Sequence, residues 1–268
     1  MIKCILKRVQ DRIARIGSNE RFLKTPEEYG EVLNGLKDAY RGERCFILGN
    51  GPSLNKCDLS LLADEYSFAV NGIFYKTQEM GYKPNFYMVE DNHVISDNIN
   101  EINSYKCKYK FFPASYKNVI KPDESTIFIP ADYGFYREHH PYYCAPRFSK
   151  NVSKEIFTGQ SVTIMQLQLA YHLGFSEVYL IGMDFSYDLP KSTIVDGVNY
   201  TSQDDDVNHF HPNYFGKGKK WHDPKLDRVL ICYEKCKNEF EDDGRIIYNA
   251  TIGGKLELFE RADFSKLF

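Results

Sequence analysis

The run Arg44-Cys-Phe-Ile-Leu-Gly-Asn-Gly-Pro-Ser-Leu54 constrains the fold more than any other stretch, because an apolar, strand-like segment breaks at Gly-Asn-Gly-Pro-Ser where a strand hands over to a helix. Gly49 and Gly51 let the backbone turn sharply and approach a ligand without a Cβ in the way, and Pro52 suits the first helical position. Free N–H groups beyond it favour an anion, so the expected ligand is a nucleotide. The dinucleotide fingerprint is only half present: the third glycine is missing. The second strand, Tyr66-Ser-Phe-Ala-Val-Asn71, ends in Asn71 and not in the acid that would hold an NAD ribose. There is no Gly-Lys-Ser/Thr either, so the P-loop lysine is missing. An ordinary tight turn is the competing reading of Gly-Asn-Gly-Pro-Ser.

The rest of the chain alternates strands with helices. After a helix over residues 26–40, strands are expected at 44–49, 66–71, 85–90, 109–112, 126–130, 178–184 and 245–249. A strong helix begins near Gln160 and stops at Gly174, a suitable C-cap, and the strand Val178-Tyr-Leu-Ile-Gly-Met-Asp184 follows at once. This pattern predicts an α/β fold with a doubly wound, mainly parallel sheet, whose ligands gather outside the carboxyl ends of the strands. By that rule Asn50, Asn71, Glu90, Asp91 and Asp184 converge on one crevice, although each taken alone reads equally as a turn or cap residue. Residues 186–222 interrupt the alternation, are too long for a routine connection, and are rich in aromatic, histidine and glycine residues. They are expected to form a lid that folds over a ligand and excludes water. A last helix spans 224–243 and ends at Gly244.

At 268 residues, 43% of them hydrophobic, the chain fits one large domain at 41–268 preceded by a helical extension at 1–40. A net charge of −3, from 34 basic and 37 acidic residues, gives no global field for nucleic acid. Cys4, Cys45, Cys57, Cys107, Cys144, Cys232 and Cys236 are odd in number and scattered, and no signal-peptide pattern precedes them. Reduced thiols in a cytoplasmic protein are therefore expected. No apolar run approaches a membrane span. In residues 1–18, Ile2, Ile5, Leu6, Val9, Ile13 and Ile16 recur at helical spacing among Lys3, Lys7, Arg8, Arg12 and Arg15. Such a helix either lies peripherally on the inner membrane face or docks its stripe on the protein's own core or a neighbouring subunit. Together with the tyrosine cluster Tyr133, Tyr136, Tyr142 and Tyr143, it is also a basis for homo-oligomerisation.

Ile47-Leu-Gly-Asn-Gly-Pro-Ser-Leu54, the strand ending in Asn71, the segment Leu173–Phe185 and the lid string His209-Phe-His-Pro-Asn-Tyr-Phe-Gly216 occur in one order over residues 44–252. In that combination the chain resembles the bacterial sialyltransferases of the Campylobacter type. It also resembles the wider DUF115 group, which includes flagellin-modifying motility accessory factors and archaeal 6-hydroxymethylpterin diphosphokinase-like proteins. The resemblance implies a Rossmann-like, variant GT-A fold that uses a CMP-activated sugar, with no metal and no further cofactor. On it, Asn50, Gly51 and Ser53 would meet the donor phosphate and ribose, and Asn71 and Asp91 the cytidine or sugar side. Thr158, Gly159, Gln160 and Ser161 would present hydroxyls and backbone amides to the donor carboxylate, which suits a helix N-terminus. The general base would be His211 or His209, with His211 preferred, since a neutral imidazole of pKa about 6.5 accepts a proton near neutral pH. Tyr187, Tyr200 and Tyr214 are candidates to stabilise the departing phosphate.

The function so implied is an inverting, metal-independent glycosyltransferase. It would move a sialic acid, another nonulosonate or a Kdo-like sugar from a CMP-sugar donor to a surface polysaccharide, lipopolysaccharide or glycoprotein acceptor. Two other readings stand beside it. One is a pterin diphosphokinase needing Mg²⁺ on carboxylates, for which Asp204-Asp-Asp206 and Glu90-Asp91 are the available groups. The other is a nucleotide-binding protein without catalysis.

Overall fold

In a computed structural model, which describes residues 27–268, eight parallel strands form the centre of the molecule. The helices are α1 (Glu27–Leu36), α2 (Thr77–Met80), α3 (Asn92–Asp97), α4 (Ile99–Ser104), α5 (Val162–Leu173) and α6 (Leu226–Glu241). The strands of the large sheet are β1 (Arg44–Leu48), β2 (Ser67–Val70), β3 (Phe86–Met88), β4 (Tyr109–Pro113), β5 (Thr126–Ile129), β8 (Glu177–Ile181), β12 (Ile246–Asn249) and β13 (Glu260–Arg261). Their order is β13-β12-β8-β1-β2-β3-β4-β5. The chain therefore winds outward from β1 to β5, returns to lay β8 beside β1 in register Ile47↔Leu180, and winds outward again. That reversal is the topological switch point. This is the Rossmann-like α/β architecture that the alternating pattern predicts.

Side-chain alternation along the strands builds two cores. Cys45, Ile47, Phe68, Val70, Phe86, Met88, Val178 and Leu180 face one side, where they pack with Leu33 and Leu36 of α1, the apolar residues of α5, and Cys232, Cys236 and Phe240 of α6. Phe46, Leu48, Ala69, Tyr87, Phe112, Tyr179 and Ile181 face the other side and meet Leu54, Val94, Ile102 and Phe264. Helix α5 is buried around its full circumference, all twelve of its residues included. Its polar members bond to backbone: Gln168 accepts from the amides of Ser149 and Phe157 (both 3.0 Å), and Gln166 donates to Ala69 O (3.0 Å), while Gln166 Oε1 and His172 Nδ1 stay without a partner among the described residues. Gly174 ends the helix at φ +99°.

Two small sheets lie outside this frame. A parallel pair joins β6 (Ala131–Asp132) to β7 (Ile156–Phe157). Within the expected lid, β9 (Ile194–Asp196), β10 (Asn199–Thr201) and β11 (Lys220–His222) form a three-stranded antiparallel sheet. The expected amphipathic helix at residues 1–18 and the membrane or subunit contact assigned to it lie outside the described residues. Among the described residues no helix is long and apolar enough to cross a membrane.

Candidate functional site

The switch point opens into a crevice of about 640 Å³ at the carboxyl ends of β1, β2, β3 and β8. Asn50, Asn71, Glu90, Asp91 and Asp184, far apart in sequence, all line it. The Gly-Asn-Gly-Pro-Ser turn works differently from the phosphate cradle expected of it. Gly49 N–H donates to Ile181 O (2.7 Å) and Gly51 N–H to Gly182 O (3.0 Å), so the ends of β1 and β8 cross in backbone contact. A Cβ on Gly182, at φ +67°, would stand 2.6 Å from Gly49 O, and one on Gly51 would overlap the Asp184 carboxylate. Beyond Gly51 the chain makes only a five-residue 3-10 turn, Pro52–Lys56. Asp184 caps it, accepting from Ser53 Oγ (2.6 Å) and Ser53 N–H (3.3 Å). The anion at this N-terminus is thus the protein's own carboxylate, and Pro52 and Ser53 serve the turn.

One wall of the crevice is built from amides. Asn50, 7% exposed, donates through Nδ2 to Val70 O (3.0 Å) and to the Tyr214 hydroxyl (2.9 Å). Tyr87 donates to the backbone oxygen of Asn71 (2.6 Å), which sits at φ +47°. Gln160 lies at φ +67° on the approach to α5. The side-chain oxygens of Asn50, Asn71 and Gln160 are buried without a partner among the described residues. Ser161 caps α5, accepting from Thr163 N–H (3.3 Å), and lines the crevice beside Gln160. Thr158 and Gly159 do not line it. The Thr158 hydroxyl donates to Asp132 O (3.1 Å), and a Cβ on Gly159 would press on Ile164 at 2.7 Å.

The lid closes the opposite wall and separates the two histidines. His209 lines the crevice with its ring stacked on Tyr214 at 4.0 Å, and its Nδ1 meets Asp206 Oδ2 at 2.7 Å. Burial pushes the Asp206 carboxyl up, but the bond and charge of His209 and the amides of Asn208 and Phe215 outweigh it and hold it below the usual range. With Nδ1 so engaged, only Nε2 is available to exchange a proton. His211, the residue preferred from sequence, is not part of the crevice. Its ring lies on Tyr75 at 4.8 Å, and its Nδ1 accepts from Asn213 N–H (3.1 Å). Tyr187 and Tyr214 line the crevice, whereas Tyr200, within the lid sheet, packs edge-on against Trp221 at 4.8 Å and does not line it.

Carboxylates and a third histidine form the remaining side. Asp91 Oδ1 caps α3, accepting from His93 N–H (2.7 Å) and Val94 N–H (3.2 Å), and its Oδ2 binds His222 Nδ1 (2.8 Å). Both oxygens are committed within the protein, so Asp91 orients His222 in place of the direct ligand contact expected of it. The bond to Asp91 raises the His222 pKa against the opposing effect of burial. Glu90 beside it is pushed up to about 8, first by burial and then by the Asp91 charge. The run Asp204–Asp206 does not converge: Asp204 accepts from Ser192 while Asp206 holds His209. Among the described residues no three His, Cys, Asp or Glu side chains group as metal ligands. The tyrosine cluster is not an outer patch either. Tyr133, Tyr136 and Tyr143 line the crevice, and Tyr142 lies under the Arg147 guanidinium at 4.1 Å.

Residues 20–189, more than half of the chain, match the model of the family described as 6-hydroxymethylpterin diphosphokinase MptE-like. The chain belongs to the MptE-like family. The match includes the crevice residues of the sheet and α5 and stops before most of the lid. No curated protein matches this MptE-like chain in sequence. Among solved structures, the MAf glycosyltransferase from Magnetospirillum magneticum AMB-1 is similar at a TM-score of 0.50 and 15% identity, covering 92% of this chain. This chain spans 40% of that one, and at such identity the likeness is one of fold.

Several crevice residues of the MptE-like chain carry no sequence signal of their own. His222 is paired across 131 positions with Asp91, and Lys225 and Arg228 reach the rim from the start of α6. Tyr116 enters from a 3-10 turn after β4, Ala114–Tyr116. Only the strand-end rule, applied to every strand, would have pointed towards them.

Proposed function

We propose that this chain is a glycosyltransferase that displaces CMP from an activated acidic sugar with inversion, using His209 as the base. The observation that carries the reading is the His209–Asp206 pair, seated in the lid against the crevice with its contact at 2.7 Å. A carboxylate on Nδ1 fixes the tautomer and leaves Nε2 to take the acceptor hydroxyl proton, and the ionised Asp206 then steadies the imidazolium. The acceptor oxygen forms its bond to the anomeric carbon as the bond to the CMP phosphate breaks, and CMP leaves with the electron pair. The unpaired acceptors of Asn50, Asn71 and Gln160 suit the amine and hydroxyl donors of a nucleoside. The N-terminus of α5 with Lys225 and Arg228 suits the anionic groups of donor and leaving CMP.

The family match favours a second reading, pyrophosphoryl transfer from ATP to a pterin alcohol. That reaction calls for Mg²⁺ on free carboxylates. Asp91 and Asp184 are engaged within the protein and Asp204–Asp206 diverge, so among the described residues Glu90 in the crevice lacks the companion carboxylates that such a site needs.

Calorimetric titration with CMP and with ATP, each with and without Mg²⁺, separates the two. Binding of CMP without Mg²⁺ is the expected result. Mg²⁺-dependent binding of ATP with no response to CMP would replace this reading with the kinase.

A further inference from the structure

Besides the amide wall, His209 and Tyr214, the crevice has a tyrosine-lined part in which Tyr116, Tyr133 and Tyr136 group around Glu90, and Tyr143 and the exposed Glu138 also line the crevice. Tyr116, Tyr133 and Tyr136 all lie within electrostatic reach of the Glu90 carboxyl. Their own polar contacts fix them: Tyr116 donates to the backbone oxygen of Glu90 (2.8 Å), Tyr133 meets Ser115 Oγ (3.3 Å), and Tyr143 accepts from Arg228 (3.2 Å). Glu90 differs. Among the described residues its carboxyl has no hydrogen-bond partner and no cation within ion-pair distance, although it lies in a crevice beside a second carboxylate. A carboxyl so placed is open to hydrogen bonds from the hydroxyl groups of a ligand.

We propose that this tyrosine-lined part is the acceptor subsite and that it receives an uncharged sugar whose hydroxyl groups bond to Glu90. The inference rests on the reading of the site as a glycosyltransferase. Its chemistry selects the ligand. The exposed Glu138 carboxylate disfavours phosphate and carboxylate here, while Glu90 offers them no counter-charge, which sends the anionic donor to the other part. The rings of Tyr133 and Tyr136 stand 6.5 Å apart and inclined at 38°, which gives no parallel slot for a planar base. Rings at such angles instead offer apolar faces to the C–H faces of a puckered sugar, while hydroxyl and carboxyl groups take its oxygens. The two parts meet at Gln160, whose backbone lies against the Tyr136 hydroxyl, so an acceptor held among the tyrosines is next to a donor held by the amides.

Saturation-transfer NMR with methyl β-galactopyranoside and methyl β-glucopyranoside, in the presence of CMP, tests the subsite. The wild type is expected to transfer saturation to the ring C–H protons of at least one glycoside. Tyr133→Ala should abolish the transfer and Glu90→Gln should weaken glycoside binding about tenfold, the scale of one lost hydrogen bond. Calorimetry should find CMP affinity unchanged in both. Glu90→Gln is nearly isosteric and carries the test even if Tyr133→Ala does not fold. Glycoside binding that ignores both substitutions, or CMP binding that weakens with them, would overturn the subsite. Wild-type protein that binds CMP but neither glycoside also overturns it. Binding of a glycoside, lost on substitution, without binding of CMP would support the subsite while removing the donor assignment.

Discussion

Replacing Glu90 by glutamine should stabilise the protein, and increasingly so as pH rises. Burial, and after it the neighbouring Asp91 charge, disfavours the ionised form so that Glu90 ionises near 8 against 4.5 for an ordinary glutamate, with His222 opposing the shift. Tyr116, Tyr133 and Tyr136 are the other titratable groups facing it. Because the folded chain holds this proton more tightly than the unfolded chain, the associated stability is complete below about pH 4.5, falls through the interval, and is lost above about pH 8. At about 1.4 kcal/mol for each tenfold change in acidity, the ceiling is about 5 kcal/mol. Water in the crevice and relaxation of its walls screen that figure, and about 2 kcal/mol is the expected size. For a chain of this length that is a rise in Tm of about 4–8 °C. Scanning calorimetry of both proteins at about pH 5 and pH 9 should show near-equal midpoints at the lower pH and the glutamine variant ahead at the higher one. A difference that does not grow with pH would show that Glu90 ionises like an exposed glutamate, and the isolation argued for it would be wrong.

Asp206→Asn should lower the rate of sugar transfer about 10²–10⁴-fold with CMP affinity retained, since it frees the His209 tautomer, while His211→Ala leaves the rate nearly unchanged. Single-turnover kinetics decides between them, and a large loss at His211 alone would return the base to that residue. Gly51→Ala should cost about 1–3 kcal/mol or more, because its Cβ overlaps the Asp184 carboxylate; a denaturant midpoint equal to that of the wild type would show that these strand ends are not in contact. Gln168→Leu should destabilise by about 2–4 kcal/mol in the same assay, by stranding the buried amides of Ser149 and Phe157.

Strand-length apolar runs made the large sheet legible, and the reasons are visible in its packing. The strands from β1 to β5, with β8 and β12, are buried wholly or in large part, so each appears in sequence as a short apolar run bounded by polar turns. Helix α5 was readable for the same reason, together with its Gly174 stop. The strands that escaped are short or exposed: β6 and β7 have two residues each, β13 at the edge of the large sheet has two exposed residues, and every residue of β9 is exposed. Strands of that kind carry no burial pattern to read, because their partners, and not their own composition, hold them.

The site divides along the same line, and the division explains the misreadings. Position along the sheet is a topological property, so the residues that follow strand ends could be gathered into one crevice before any contact was known. Which way each then turns depends on a neighbour distant in sequence. Gly51 carries the same absence of a Cβ whether a phosphate or the Asp184 carboxylate, 133 positions on, fills the space, and sequence alone favoured the ligand. His209 and His211 stand two residues apart in the same lid, yet Asp206 draws one ring to the crevice wall and Tyr75 draws the other away. An acid three residues before a histidine in an otherwise irregular segment was the local clue. A base needs a partner to fix its tautomer, and by that criterion His209 outranks His211.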